Sequence, residues 1–158
     1  MRFVALALAA LLLPNSAQAA ETIAGRASVI DGDTIEIQGQ RIRFNGIDAP
    51  ESRQTCEDAN GQPYRCGAVA ADALADWLAQ SSPTTCDVSG QDRYKRAIAK
   101  CQRADGEDVN SWLVRSGYAL DWPRYSRGTY ADEQHAAERT KRGIWQGRFE
   151  LPWEWRRK

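Results

Sequence analysis

Apolar and polar residues alternate along Thr34-Ile35-Glu36-Ile37 and again along Arg41-Ile42-Arg43-Phe44. That period of two is the mark of half-buried strands. Side chains of a strand point alternately to its two faces, so Ile42 and Phe44 are expected inward and Arg41 and Arg43 on the opposite face. Gly39-Gln40 predicts a tight turn between these strands. Upstream, Thr22 to Ile30 reads as one longer strand ended by the turn pair Asp31-Gly32. Downstream, Ile47-Asp48-Ala49-Pro50-Glu51 ends the strand, because Pro50 biases Ala49 away from helix.

The period then changes. Residues 52–66 read as a polar loop. Ala70, Ala73, Leu74, Trp77 and Leu78 recur at the i, i+3, i+4 spacing of one buried helical face, which predicts a helix near 67–80. Thr84 to Ser89 and Arg96 to Gln102 are expected as strands around a Gly90-Gln91-Asp92 turn. Asp108 is placed to cap a short helix from Val109 to Ser116, stopped by Gly117. Residues 118–128 are a loop rich in aromatic and basic residues. Thr129-x-x-Asp132 resembles a capping box opening a helix that ends at Arg142-Gly143. The order β-β-β-α-β-β-α-α implies an α+β fold with a mainly β core. Five short strands with an inserted helix suit a five-stranded OB-fold barrel carrying three helices.

The first residues change the accounting. Met1-Arg2, the apolar run Phe3 to Leu13 and the small-x-small triplet Ala17-Gln18-Ala19 predict a secretory signal peptide over residues 1–19. The run is too short to span a bilayer, which takes about 20 apolar residues. Residues 20–158 then form a single domain, with 147–158 as a C-terminal tail. The full chain has 21 basic and 21 acidic residues and one histidine, His135, so loss of Arg2 leaves a slight acidic excess. This excludes a globally basic coat protein for nucleic acid. Any polyanion must be met by local patches. It also points catalytic base chemistry toward a carboxylate or a metal-bound water.

Cysteine usage fits the same compartment. Cys56, Cys66, Cys86 and Cys101 contain no C-x-x-C, and one histidine cannot complete a common zinc set. An even number of cysteines in a secreted chain favours disulfides. Of three pairings, Cys56–Cys66 and Cys86–Cys101 are preferred because each closes a local loop. The expected location is periplasmic or secreted, as a monomer without stable membrane insertion.

The densest chemistry lies between Asp31 and Glu51. Asp31, Asp33, Glu36, Asp48 and Glu51 are interleaved with Arg41 and Arg43. The hairpin brings Asp33, at the start of one strand, near Asp48, after the other. Two close carboxylates repel unless a cation compensates, and an all-oxygen set suits Ca²⁺ or Mg²⁺. Arg43 can hold a phosphate bidentately. Together these are the parts of a metal-assisted phosphodiesterase. An ordinary Asp-Gly turn with surface ion pairs is the plainer alternative. A second basic segment, Asp92-Arg93-Tyr94-Lys95-Arg96, reads alone as a solvated turn, but beside the first it offers another arginine for the same phosphate.

With these motifs together, the chain resembles the staphylococcal nuclease (thermonuclease) family. The carrying segments are VIDGDTIEI (29–37), RFNGIDAPE (43–51), DRYKRAIA (92–99), VNSWLVRSGYA (109–119), DEQHAAE (132–138) and RGIW (142–145), in matching order over about residues 22–146. The resemblance implies a Ca²⁺-dependent, sugar-nonspecific endonuclease that hydrolyses DNA and RNA and leaves 3′-phosphates. It implies Asp33, Asp48 and the Ala49 carbonyl as ligands of one Ca²⁺. It makes Glu51 the residue that orients or deprotonates water, and Arg43 and Arg96 the phosphate-gripping arginines. Asp31 falls outside the direct ligands. Tyr94 and Tyr125 match substrate-binding tyrosines.

Four departures from the family pattern stand out. The hairpin between Ile37 and Arg43 is shorter than in secreted Gram-positive members. Ala49 replaces a threonine, Lys95 replaces the glycine before the arginine, and Pro123 falls where a further stacking tyrosine would lie. The cysteines are additional, and a Cys56–Cys66 bridge would staple the loop after Glu51.

Trp77 and Trp112 are expected in the core, Trp145 docking the last helix, and His135 on the surface. The tail Pro152-Trp-Glu-Trp-Arg-Arg-Lys158 suits either stacking of bases with phosphate contacts or folding back on the domain. Two other functions remain in view: a nucleic-acid-binding OB module without strong catalysis, and a hydrolase of envelope polysaccharide using paired carboxylates.

Overall fold

In the computed structural model, which describes residues 21–158, the alternating segments form strands close to where the pattern puts them. The first five are β1 (Thr22–Gly25), β2 (Ser28–Asp31), β3 (Thr34–Ile37), β4 (Gln40–Phe44) and β5 (Ile47–Asp48). A small hairpin follows, β6 (Cys56–Glu57) and β7 (Pro63–Tyr64), then helix α1 (Cys66–Ala79), β8 (Thr84–Gln91) and β9 (Ala97–Gln102). The last part comprises α2 (Val109–Arg115), β10 (Leu120–Asp121), a single turn α3 (Pro123–Ser126), α4 (Ala131–Arg139), a 3-10 turn over Gly143–Gln146, and α5 (Pro152–Trp155). The expected signal peptide lies outside the described residues. Among the described residues no helix is long and apolar enough to cross a membrane.

The main sheet has the strand order β1-β8-β9-β4-β3-β2. The segment expected as one strand from Thr22 to Ile30 is two. β1 pairs with β8 and β2 pairs with β3, at opposite edges of the sheet, with only Arg26-Ala27 between them. Two residues cannot bridge the width of a flat six-stranded sheet, whose strands are about 4.8 Å apart, so the sheet must curl until its edges approach. The result is the curled, half-barrel α+β architecture expected of an OB-like fold, with three substantial helices, α1, α2 and α4.

Local expectations fare unevenly. Ile42 and Phe44 are buried and Arg41 is exposed, as the alternation requires. The hairpin turn is Gln38-Gly39 rather than Gly39-Gln40. Both turn residues have positive φ (52° and 81°), and Ile37 faces Gln40. This is the two-residue connection that matches strand twist. The β8–β9 connection also shifts: β8 runs through Gly90-Gln91, and the turn is made by residues 92–95.

Asp108 caps α2 as expected, accepting from Ser111 N at 2.9 Å. The capping box at Thr129 does not form. Thr129 Oγ1 donates to the Ser126 carbonyl at 2.6 Å, and α4 begins at Ala131 without a side-chain cap. That helix also ends earlier, at Arg139, because Lys141 takes positive φ (52°). The chain beyond it is drawn against α2's exit, where Ile144 N donates to the Gly117 carbonyl at 3.0 Å. The aromatic loop over 118–128 contains structure that its composition hides: β10 pairs with β5, setting Leu120 opposite Asp48.

One core packs the sheet's inner face (Ile35, Ile37, Ile42, Phe44) against Leu74 and Leu78 of α1 and Leu113 and Val114 of α2. Each such fully buried side chain contributes about 2 kcal/mol. Trp77 and Trp112 pack against this core as a stacked pair, ring centroids 4.2 Å apart. A second cluster gathers Cys56, Cys66, Leu120 and Ile144 with Trp145, Leu151 and Trp153, and so holds the C-terminal tail. The tail folds back on the domain. Cys56 is bonded to Cys66 and Cys86 to Cys101. The second pair sits in direct register across β8 and β9. His135 is exposed, as expected.

Candidate functional site

Strand register assembles the first part of the site. In the β3–β4 hairpin Thr34 faces Arg43, and Phe44 N donates to the Asp33 carbonyl at 3.0 Å. Asp33 therefore begins β3 beside the strand that carries Arg43, and the turn after β4 returns the chain to Asp48 on β5. Arg43 closes the gap. Its Nη1 donates to Asp33 Oδ1, and its Nη2 donates to Asp48 Oδ1 at 2.6 Å. Asp33 Oδ2 accepts from Ala49 N at 2.9 Å, which ties the residue after Asp48 to the same carboxylate. Asp33 and Asp48 are both buried, Asp48 completely.

Charge explains how two acids persist there. Burial pushes the Asp33 carboxyl upward, but the Arg43 charge and the Ala49 N–H outweigh it and hold the group below its ordinary value. Burial raises Asp48, against the hydrogen bonds it accepts from Arg156. The Arg43 guanidinium, despite its own burial, is held more firmly protonated by Asp33 and Asp48. Asp31, at the end of β2, is pushed up to about 6 by burial and then by the Asp33 charge. Its Oδ1 accepts from Asp33 N at 3.1 Å, so it holds the backbone of Asp33.

Glu51 is fixed through its main chain. The residue Gly67, in the first turn of α1, lies so close that a Cβ on it would stand 1.8 Å from the Glu51 carbonyl oxygen. Glu51 N donates to Oε1 of Gln54 at 3.2 Å, and Gln54 is fully buried. Its Nε2 donates to the Glu150 carbonyl at 2.7 Å. Gln54 lies two residues before Cys56, just outside the loop that the Cys56–Cys66 bridge closes, and Cys66 Sγ lies 3.5 Å from its carbonyl oxygen.

Asp33, Arg43, Ala49 and Glu51 line one cleft of about 990 Å³ with Asp31, Tyr94, Arg96, Trp122, Tyr125 and Arg156, while Asp48 is fully buried and reaches it only through Arg43 and Arg156. Arg96 shares the cleft but does not touch the Asp33–Asp48 pair. Its Nε and Nη2 both pair with Asp92 Oδ2 at 2.8 Å. Lys95, standing before it with φ of 64°, keeps the tight turn: Lys95 N donates to the Asp92 carbonyl and Asp92 N to the Arg96 carbonyl, each at 3.0 Å. Tyr94 and Tyr125 are exposed at 65% and 52%, and both open onto the cleft.

Two residues of the site escaped sequence reasoning. Gln54 sits in a loop with no periodicity. Arg156 reaches in from the tail. Its Nη1 donates to Asp48 Oδ1 at 2.9 Å and to Glu51 Oε1 at 2.7 Å, and its Nη2 donates to Asp48 Oδ2 at 2.8 Å. The only cue in the sequence was the run of basic and aromatic residues at the end of the chain.

The curled OB-like sheet thus carries carboxylates and arginines around one cleft. Comparison with known proteins gives the family of this fold. The profile described as "Staphylococcal nuclease homologue" matches residues 41–147. The chain belongs to the staphylococcal nuclease family.

Among its relatives, "Succinoglycan biosynthesis protein ExoI" of Rhizobium meliloti (strain 1021) is 50% identical over 149 residues, covering 94% of this chain and 78% of that one. An "Uncharacterized endonuclease" of Escherichia coli O157:H7 is 32% identical over 134 residues, covering 81% and 80%. "Endonuclease YhcR" of Bacillus subtilis (strain 168) is 33% identical over 145 residues, which cover 81% of this chain and 12% of that much longer protein.

Proposed function

We propose that the protein is a Ca²⁺-dependent, sugar-nonspecific endonuclease that hydrolyses phosphodiester bonds in DNA and RNA and leaves 3′-phosphates. The observation that carries this reading is the joint engagement of Asp33 and the buried Asp48 by Arg43, which lines one cleft with Glu51 and Arg96.

The donor set fits a hard cation. Asp33, Asp48 and the Ala49 carbonyl are all oxygen, and the two carboxylates are neutralised by guanidinium groups in this structure. Among the described residues no three His, Cys, Asp or Glu side chains converge, so water and substrate oxygens would complete the shell. A Ca²⁺ ion held there supplies positive charge against a phosphate oxygen.

The chain's own residues do the rest. Glu51 orients a water and takes its proton for in-line attack on phosphorus. Arg43 engages the carboxylates through one contact from each Nη, Nη2 also reaches the Ile47 carbonyl at 3.5 Å, and its Nε and second Nη1 N–H are left for phosphate. Arg96 faces the cleft with its Nη1 free of Asp92. The two guanidinium groups stabilise the charge that builds on the equatorial oxygens, the P–O5′ bond breaks as the water oxygen bonds to phosphorus, and the departing 5′-oxygen takes a proton from solvent. Tyr94 and Tyr125 flank the substrate path. The two disulfides support residence in an oxidising compartment, periplasmic or secreted.

A second reading rests on the relative named for succinoglycan biosynthesis, which matches 94% of this chain. In it the carboxylates would act on an envelope polysaccharide. Arg43 and Arg96 have an evident use with phosphate and none with a neutral glycosidic bond. Purified protein incubated with DNA, RNA and an acidic exopolysaccharide, each with Ca²⁺ or a chelator, separates the two. The nuclease reading expects Ca²⁺-dependent loss of DNA and RNA with the glycan intact. Glycan shortening with intact nucleic acid would overturn it.

A further inference from the structure

The tail brings a guanidinium to the place where the carboxylates of the cleft call for a cation. Asp48 accepts three N–H bonds from arginines: one from Arg43 Nη2 at 2.6 Å and two from Arg156 at 2.9 and 2.8 Å. Arg156 also takes Glu51 Oε1. Its guanidinium is held more firmly protonated by Asp48 and Glu51 against its own burial.

The docking of the tail does not depend on these contacts. The Glu150 carbonyl is held by Gln54, Pro152 is buried, and Trp153 stacks on Trp122 with centroids 5.8 Å apart and planes within 6°. All three anchors precede Arg156 in the chain. Its side chain, one-third exposed, can therefore leave the carboxylates while the turn stays in place.

We propose that Arg156 is a tethered cation that competes with a free divalent cation for Asp48 and Glu51, and so sets the concentration at which the site fills. This rests on the reading of Asp33, Asp48 and the Ala49 carbonyl as cation ligands. A carboxylate has a limited number of lone-pair sites, and those of Asp48 are largely taken by the two arginines. A divalent ion at the same oxygens also repels the guanidinium at close range. One occupant excludes the other. While Arg156 is in place it keeps the acids neutralised, and the cleft stays assembled without metal.

The test is calcium titration by isothermal calorimetry, without nucleic acid, of the purified protein and of its Arg156→Gln and Arg156→Lys variants. Arg156→Gln is expected to bind Ca²⁺ about tenfold more tightly. Arg156→Lys, which keeps the charge but not the two-pronged geometry, is expected to lie between. In denaturant titrations without calcium, Arg156→Gln is expected to be the less stable protein. Equal or weaker Ca²⁺ binding by Arg156→Gln would overturn this inference and leave the cation site standing. No Ca²⁺ binding by any of the three proteins would overturn the cation site, and this inference with it.

Discussion

Arg156 grips Asp48 with both Nη atoms, at 2.9 and 2.8 Å, across 108 residues of sequence. Asp48 is fully buried. The last turn of the chain is thus part of the cleft, and the cleft's acids are shared between an arginine of the sheet and an arginine of the tail. Several consequences can be measured.

Arg43 is the only side chain that hydrogen-bonds both Asp33 and Asp48 among the described residues. Arg43→Ala leaves two buried carboxylates short of a partner, and removing one member of a buried pair costs about 3 kcal/mol. The variant is expected to keep its circular dichroism spectrum and to lose about that much stability in urea titrations. Its turnover on plasmid DNA is expected to fall by about 100-fold or more, the scale of a lost charge-stabilising donor. Arg43→Lys restores charge without the fork and is expected to recover stability better than activity.

The two disulfides have different neighbours. Cys86–Cys101 joins paired strands on the main sheet, whereas Cys56–Cys66 packs beside Gln54, its Cys66 Sγ 3.5 Å from the Gln54 carbonyl oxygen, and so borders the residue that holds Glu51. Replacing either pair with serines is expected to cost about 2–4 kcal/mol in stability. Loss of Cys56–Cys66 is expected to cut activity as well, measured well below the melting transition. Loss of Cys86–Cys101 is expected to leave activity near the parent value under those conditions.

Replacing a helical glycine with alanine usually adds about 1 kcal/mol of stability. Gly67 is expected to behave in the opposite sense, because its Cβ would stand 1.8 Å from the Glu51 carbonyl oxygen. Gly67→Ala should lower the melting temperature and, by pushing Glu51 out of place, lower turnover. A more stable, fully active variant would contradict the packing described for α1.

Tyr130 is buried, and its hydroxyl is pushed up to about 12, first by burial and then by the Asp108 charge. The folded-state value lies above the ordinary 10, so the unfolded chain loses this proton first as pH rises. The contribution to stability is complete below pH 10 and is lost between about 10 and 12. Urea midpoints should fall over that range, and the fall should be smaller in Tyr130→Phe.

The heart of the site was legible because it is local. Alternation fixes which face Arg43 takes, and a short hairpin sets β4 against β3, so Asp33, Arg43 and Asp48 meet by register alone. The helix Cys66–Ala79 followed from its apolar spacing, and the disulfides from local loop closure. What was not legible comes from contacts far apart in sequence. The break at Arg26-Ala27 is forced by closing the sheet, which no local period records. Gln54 and Arg156 find partners 96 and 105–108 residues away. The capping box at Thr129 failed because its hydroxyl found the Ser126 carbonyl instead.

The central claim is that Glu51 prepares water for attack on a phosphodiester beside the Asp33–Arg43–Asp48 group. The direct measurement is the initial rate of plasmid cleavage in Ca²⁺ by the parent protein and by Glu51→Gln. That change keeps size and hydrogen bonding at a side chain that is one-third exposed, so folding should be little affected. The parent should cleave, with activity abolished by a chelator. Glu51→Gln should be slower by about 100-fold or more, the range expected for loss of a general base. Equal rates for the two proteins, or no Ca²⁺-dependent cleavage by the parent, would contradict the account.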